Sequence, residues 1–106
     1  EITALGTNAV ATTAMMSSGA DKGASGENAI VWNASRVHII TGPVSILLPN
    51  AMLGEVTPAM AEALSSSPAK KILLPLNQEK VEIIGTSKEP LPHLVEALIS
   101  KIKDVS

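Results

Sequence analysis

Pro49-Asn-Ala-Met-Leu-Gly-Glu-Val-Thr-Pro-Ala-Met-Ala-Glu-Ala63 decides how this chain is read, because it runs a loop of ligand-competent groups into a well-marked helix start. Thr57 and Pro58 supply the N-cap and first helical position: the hydroxyl can accept a backbone N–H, and proline's missing N–H would have been unpaired there anyway. Met60, Ala61 and Leu64 then form a buried stripe. Working backwards, Val44 to Leu48 is an apolar run that fits either a strand or a turn of buried helix. Before it, Val37 to Ile40 reads as a strand closing in Thr41-Gly42-Pro43. Working forwards, Ser65-Ser-Ser-Pro68 stops the helix and Lys71 to Leu74 makes a further strand ended by Pro75. Asn77 to Lys80 is too short for a crossover, so Val81 to Ile84 is expected to return as an antiparallel edge strand.

The two ends of the chain extend the same alternation. Ile2 to Leu5 reads as a strand stopped by Gly6-Thr7-Asn8, with Thr7 or Asn8 capping a helix that runs through Met16. Gly19 to Asn28 reads as a glycine-studded loop, followed by a short helical piece at Ala29 to Trp32. At the other end Leu91, Leu94, Val95, Leu98, Ile99, Ile102 and Val105 keep one apolar face of a helix. Burying those seven side chains is worth roughly 10 to 20 kcal/mol gross, and ordering the segment costs a similar amount. Such a helix exists only when docked on a sheet. The order of elements is that of a three-layer α/β domain with a mainly parallel sheet, in which ligands sit past the carboxyl ends of the strands.

Composition narrows the function classes. The 106 residues make one domain, and Trp32 is the only aromatic, so the core must be aliphatic. Charged residues are 17%, below the average of about 25% for soluble domains; a surface this neutral fits either a partner-covered face, pointing to a homo-oligomer, or an Ala/Ser-rich exterior. A net charge of −2 with no basic cluster beyond Lys70-Lys71 argues against nucleic acid. No apolar run approaches the roughly 18 residues of a membrane span, and the absence of cysteine fits a cytoplasmic setting. Because residue 1 is Glu and a strand is already under way at Ile2, the chain is expected to be a fragment, a processed product, or one whose leading segment has been removed.

Leu5-Gly-Thr-Asn-Ala9, Gly23-Ala-Ser-Gly-Glu-Asn-Ala-Ile30, Gly42-Pro43, the Pro49 to Ala63 stretch and Ser67-Pro-Ala-Lys-Lys-Ile-Leu-Leu-Pro-Leu-Asn77 together resemble a small bacterial domain family of unknown function. The resemblance covers nearly the whole chain. It implies a Rossmann-like fold with a ligand site and no particular chemistry. Family members begin with a strand leading into a Gly-rich turn and helix, similar to a dinucleotide-binding fingerprint. That β-α unit is absent from this sequence, and its absence would leave an interior sheet position unpaired.

Small polar residues on expected strand ends define the candidate site: Gly6, Thr7, Asn8, Thr41, Gly42, Asn50 and Glu55. Gly6-Thr7-Asn8 at a strand-to-helix junction either binds an anion through the helix N-terminus or is an ordinary turn and cap. Gly23 to Asn28 lacks the Lys-[Ser/Thr] ending of a P-loop and does not fit G-x-G-x-x-G, which leaves a mobile lid or a plain connector. Glu55 could face the crevice or the N-terminus of the helix that follows it. His38 and His93 are isolated, the first expected as a half-buried structural histidine, and neither has metal-ligand spacing. No catalytic constellation is visible, so whether the chain is an enzyme, and with what cofactor, stays open. The expected function is recognition of a small anionic metabolite or nucleotide in a regulatory role. The alternatives are an oligomerisation or scaffold module, or an enzyme completed by another segment or subunit.

Overall fold

In the computed structural model the described residues are 1–76, 81–85 and 90–105. They form, in chain order, β1 (Thr3–Gly6), α1 (Ala9–Ser17), β2 (Lys22–Ser25), α2 (Glu27–Ala34), β3 (Ile39–Pro43), a 3₁₀ turn (Val44–Leu47), α3 (Pro58–Ser66), β4 (Lys70–Leu74) and α4 (Leu91–Val105). The architecture is mixed α/β. Its strands pair in parallel as two two-stranded sheets, β1 with β2 and β3 with β4.

Helix starts follow the sequence closely. Asn8, with extended backbone, accepts the Ala11 N–H on its side chain at 2.9 Å and so caps α1. Thr57 accepts the Met60 N–H at 3.2 Å, with Pro58 at the first position of α3. Each side-chain oxygen satisfies one of the donors that a helix N-terminus leaves without an internal partner. By contrast α2 starts at Gly26, φ 93°, with no side-chain cap at all.

Three expectations need correction. The segment read as a loop, Gly19 to Asn28, contains β2, whose Lys22, Gly23, Ala24 and Ser25 pair with Thr3, Ala4, Leu5 and Gly6. Its residues carry no β propensity. They are suited instead to close packing: a Cβ on Gly23 would lie 2.8 Å from Met16 Sδ and 2.9 Å from Thr12 Cγ2, so α1 can settle on this strand only over a glycine. Thr41-Gly42-Pro43 is likewise no terminating turn. It is the body of β3, in register with Ile72, Leu73 and Leu74. Finally, Val81 to Ile83 have no regular structure and Ile84 lies in a turn, so they form no antiparallel strand; Asn77 to Lys80, the expected connection, lie outside the described residues.

The core is one cluster that joins the two strand pairs. Ile30 and Ala34 of α2, Ile40 of β3, Ala51, Val56, Met60, Ala61 and Leu64 of the α3 region, and Ala69 are buried together, with Leu5 of β1 packed against them. Leu5 of β1 and Ile40 of β3 take part in this cluster, and no residue of β2 or β4 does. α1 packs on β1 and β2, and α4 packs on β4. α4 keeps Leu94, Leu98 and Ile102 half-buried but buries no residue fully, and Leu91, Val95, Ile99 and Val105 remain exposed.

Candidate functional site

The carboxyl ends of β1 and β2 meet the N-termini of three helices. At Gly6 the chain leaves β1 so tightly that its carbonyl accepts the Gly26 N–H at 2.9 Å, which ties the start of α1 to the start of α2. Thr12, buried in the first turn of α1, fixes the same corner. Its hydroxyl lies 3.1 Å from the Asn8 carbonyl and 3.3 Å from the Ala24 carbonyl, and accepts from Ser25 Oγ at 2.8 Å.

Glu55 closes this corner from far along the chain. Thr7 Oγ1 donates to Glu55 Oε1 at 3.1 Å, and Asn8 Nδ2 donates to the same oxygen at 2.6 Å. Asn8 therefore does two things: its oxygen caps α1 and its amide nitrogen holds the carboxylate. Thr57 does the same at α3, accepting from Met60 N–H and donating to Glu27 Oε1 at 2.5 Å. The result is two exposed carboxylates, Glu55 and Glu27, each pinned on one oxygen by a helix cap. In neither does the second oxygen take a hydrogen bond from the described residues, so both keep acceptor capacity turned to solvent.

A strained loop puts Glu55 there. Asn50, Met52 and Leu53 have φ of 66°, 57° and 57°, followed by Gly54 at 91°. Left-handed backbone costs a non-glycine residue about 1–2 kcal/mol, and persists only where the surroundings enforce it. Here buried Ala51 and Val56 anchor the loop in the core. The Asn50 N–H donates to the Val56 carbonyl at 2.6 Å, Gly54 to Asn50 at 3.1 Å and Glu55 to Met52 at 3.2 Å. Leu53 is thrown fully outward at the tip, with 105% relative exposure.

The seven residues singled out in the sequence divide by position. Gly6, Thr7, Asn8 and Glu55 are brought together, with Asn50 in the same loop as Glu55. Thr41 and Gly42 sit in β3 of the other strand pair, and no hydrogen bond joins them to the Glu55 cluster among the described residues. Gly42 nevertheless has room: a Cβ there would meet only Ile46, at 3.4 Å, so nothing in the chain's packing demands glycine. Sequence reasoning missed Gly26, Glu27 and Thr57 as neighbours of the site. Thr57 was legible as a cap, while Glu27 lay in the stretch read as a loop, and pairing two caps with two distant carboxylates has no sequence signature.

The histidines stand apart. His38 is exposed rather than half-buried, beside a hollow lined by Arg36, Val37, Pro68 and Ala69 at the opposite, amino ends of β3 and β4. His93 is exposed at the start of α4. Among the described residues no three of His, Asp and Glu gather as metal ligands, and no helix is long and apolar enough to cross a membrane.

Comparison with known proteins places the chain by sequence alone. No curated protein and no solved structure matches it. A family model described as a domain of unknown function, DUF3842, matches residues 1–106, and the chain belongs to that family.

Proposed function

We propose that this chain is a small-ligand-binding domain, regulatory rather than catalytic, whose site is the corner where Gly6, Thr7, Asn8, Glu55, Gly26 and Glu27 meet. The observation that carries the reading is the hydrogen-bonded union of Thr7 and Asn8 with Glu55, 48 and 47 residues apart, at a strand's carboxyl end. Strand carboxyl ends are where open α/β folds bind ligands. Two kinds of recognition group lie side by side. The N-terminus of α2, which takes no side-chain cap from the described residues, offers first-turn backbone N–H groups and the positive end of a helix dipole, which suit an anion. Glu55 and Glu27 offer carboxylate oxygens, which repel an anion but accept from hydroxyls. A nucleotide carries both features, phosphate and ribose, and fits better than a bare anionic metabolite.

The same reading extends to the fold. Because Leu5 of β1 and Ile40 of β3 share one core cluster and β1's end is tied to the loop that follows β3, we read β1 and β3 as the strands that face each other, and a further parallel strand between them would unite both pairs into one three-layer Rossmann-like sheet. Ser45, two residues past β3, is consistent with a neighbourhood completed by a further element: its hydroxyl is buried with no hydrogen-bond partner among the described residues, which folded proteins rarely tolerate. Thr41 and Gly42 would then flank the same crevice.

Thermal melts with a panel of nucleoside mono-, di- and triphosphates, free nucleosides and inorganic phosphate test the site. Ligand at a hundred times its Kd stabilises a domain by about 2.7 kcal/mol. A nucleotide is expected to raise the melting temperature of the wild type, and Glu55→Ala to weaken it by about tenfold, the loss of one charge-assisted hydrogen bond. Inorganic phosphate should bind the variant no worse than the wild type. Absence of any shift across the panel would defeat the proposal.

A further inference from the structure

The loop that carries Glu55 is held in a conformation its own residues disfavour. Met52, Leu53 and Gly54 have φ of 57°, 57° and 91° in succession, although left-handed backbone ordinarily occurs at single positions and chiefly at glycine. For a residue such as Met52 or Leu53 that region is disfavoured by a factor of about 5 to 30. Met52 recovers part of this by packing against the core. Leu53 recovers nothing by burial, because it is fully exposed.

The base of the loop is fixed independently of this tip. Ala51 and Val56 are buried in the core, the Asn50 N–H donates to the Val56 carbonyl at 2.6 Å, and the Val56 N–H donates to the Ala51 carbonyl at 3.1 Å. Above the base, the Gly54 N–H donates to the Asn50 carbonyl at 3.1 Å and the Glu55 N–H to the Met52 carbonyl at 3.2 Å, so both bonds close across left-handed residues. Glu55 ties the tip to the other strand pair, its Oε1 accepting from Thr7 Oγ1 at 3.1 Å and Asn8 Nδ2 at 2.6 Å. Those two bonds lie at the surface, where water competes for every partner and reduces their net contribution. A backbone penalty and an exposed tether thus oppose each other across four residues, and neither dwarfs the other.

We propose that residues 52–55 are a two-state latch hinged at Ala51 and Val56. Glu55 on Thr7 and Asn8 holds it shut; loss of those bonds lets the tip return to right-handed or extended backbone while the base stays packed. Such a tip opens locally at a lower cost than unfolding, because opening exposes no core residue and relieves the left-handed penalty. Through Glu55 the latch also links Leu53 to the corner of the proposed site. A ligand hydroxyl on the second Glu55 oxygen would add a contact to the shut state, so occupancy of the corner and the setting of the loop tip would be coupled. That coupling rests on the ligand reading. The latch does not, and its test contains no ligand, so the failure of one is distinguishable from the failure of the other.

Amide hydrogen exchange followed by NMR reads the opening. The Gly54 N–H is the reporter, since the opening breaks its bond to Asn50; the Val56 N–H and the Ala61 N–H, which donates to the Thr57 carbonyl at 3.0 Å, are references in parts that stay folded. Glu55→Ala is expected to lower protection at Gly54 by about tenfold and to leave both references at wild-type values. Thr7→Val removes one donor while keeping the Asn8 cap, and should fall between. Leu53→Gly should raise protection at Gly54 by roughly three- to tenfold, the left-handed penalty less the freedom that glycine adds to the open state. Leu53→Ala trims an exposed side chain but keeps the penalty, and should match the wild type. Opposite responses to Glu55→Ala and Leu53→Gly are the signature of a strained tip held by a tether. The proposal is overturned if Glu55→Ala leaves Gly54 unchanged, if Gly54 and the references lose protection together, or if Leu53→Gly protects no better than Leu53→Ala.

Discussion

A single absent Cβ sets how close α1 can start to β1. Built on Gly6, it would collide with Thr12 Oγ1 and lie 2.8 Å from both the Asn8 carbonyl oxygen and the Thr12 nitrogen. Two of those atoms are backbone, and the third belongs to a β-branched side chain locked by its own hydrogen bonds, so nothing nearby can yield. Gly6→Ala should therefore cost about 2–3 kcal/mol, the upper part of the range for overpacking. That corresponds to a melting temperature lower by roughly 10 °C or more for a domain of this size. The contrast is Gly42→Ala, whose Cβ meets only Ile46 at ordinary contact distance; it should leave the melt within about 0.5 kcal/mol of wild type, as substitutions that touch no special feature do. If both glycines proved equally sensitive, β3 would need a different account from the one given above.

At the scale of elements, caps do more than start helices. Thr57 satisfies the first turn of α3 and at the same time holds Glu27 at the head of α2. Thr57→Ala removes both bonds; a lost cap alone costs about 1 kcal/mol, and urea titration should show that loss. Thr57→Ser keeps the oxygen and should recover most of it. Elements with such local chemistry were legible in the sequence. Thr57-Pro58 announced α3, Thr7-Asn8 announced α1, and the seven-residue apolar face announced α4. β2 was not, because Lys22-Gly-Ala-Ser25 is made a strand by its partners: β1 supplies the hydrogen bonds and Met16 the packing, and neither is adjacent in sequence. The site shows the same division. Gly6, Thr7 and Asn8 were readable as a strand-to-helix junction, and Glu55 as an acid in a loop. Their union through bonds spanning some fifty residues was not, since it depends on where α3 and its preceding loop pack. Val37 to Ile40 failed differently, by register: apolar periodicity placed the strand two residues early, and backbone pairing with β4 carries it on through Gly42 to Pro43.

On the scale of the whole molecule, the two strand pairs are held together, among the described residues, by side chains and not by a continuous ladder, so the α2–α3 seam must carry the cooperativity. Ile30 is the largest residue that α2 gives to that seam, 5% exposed and packed among Ile40, Met60 and Leu64 of the other half. Cutting Ile30 to Ala leaves a cavity at the junction itself and should cost about 2–5 kcal/mol. Trp32, two residues along on the outer side of α2 with the Arg36 guanidinium 4.0 Å above its ring, gives fluorescence from the first half. Far-UV circular dichroism reports on both halves together. If the seam makes one cooperative body, the two signals should move to lower urea together in Ile30→Ala, with the slope of the transition unchanged. A tryptophan transition that separates from the dichroism in the variant would show that the β1–β2 unit can let go while β3 and β4 stay folded. The seam would then be a weak joint between two small sheets, each short of the burial that an isolated strand pair needs.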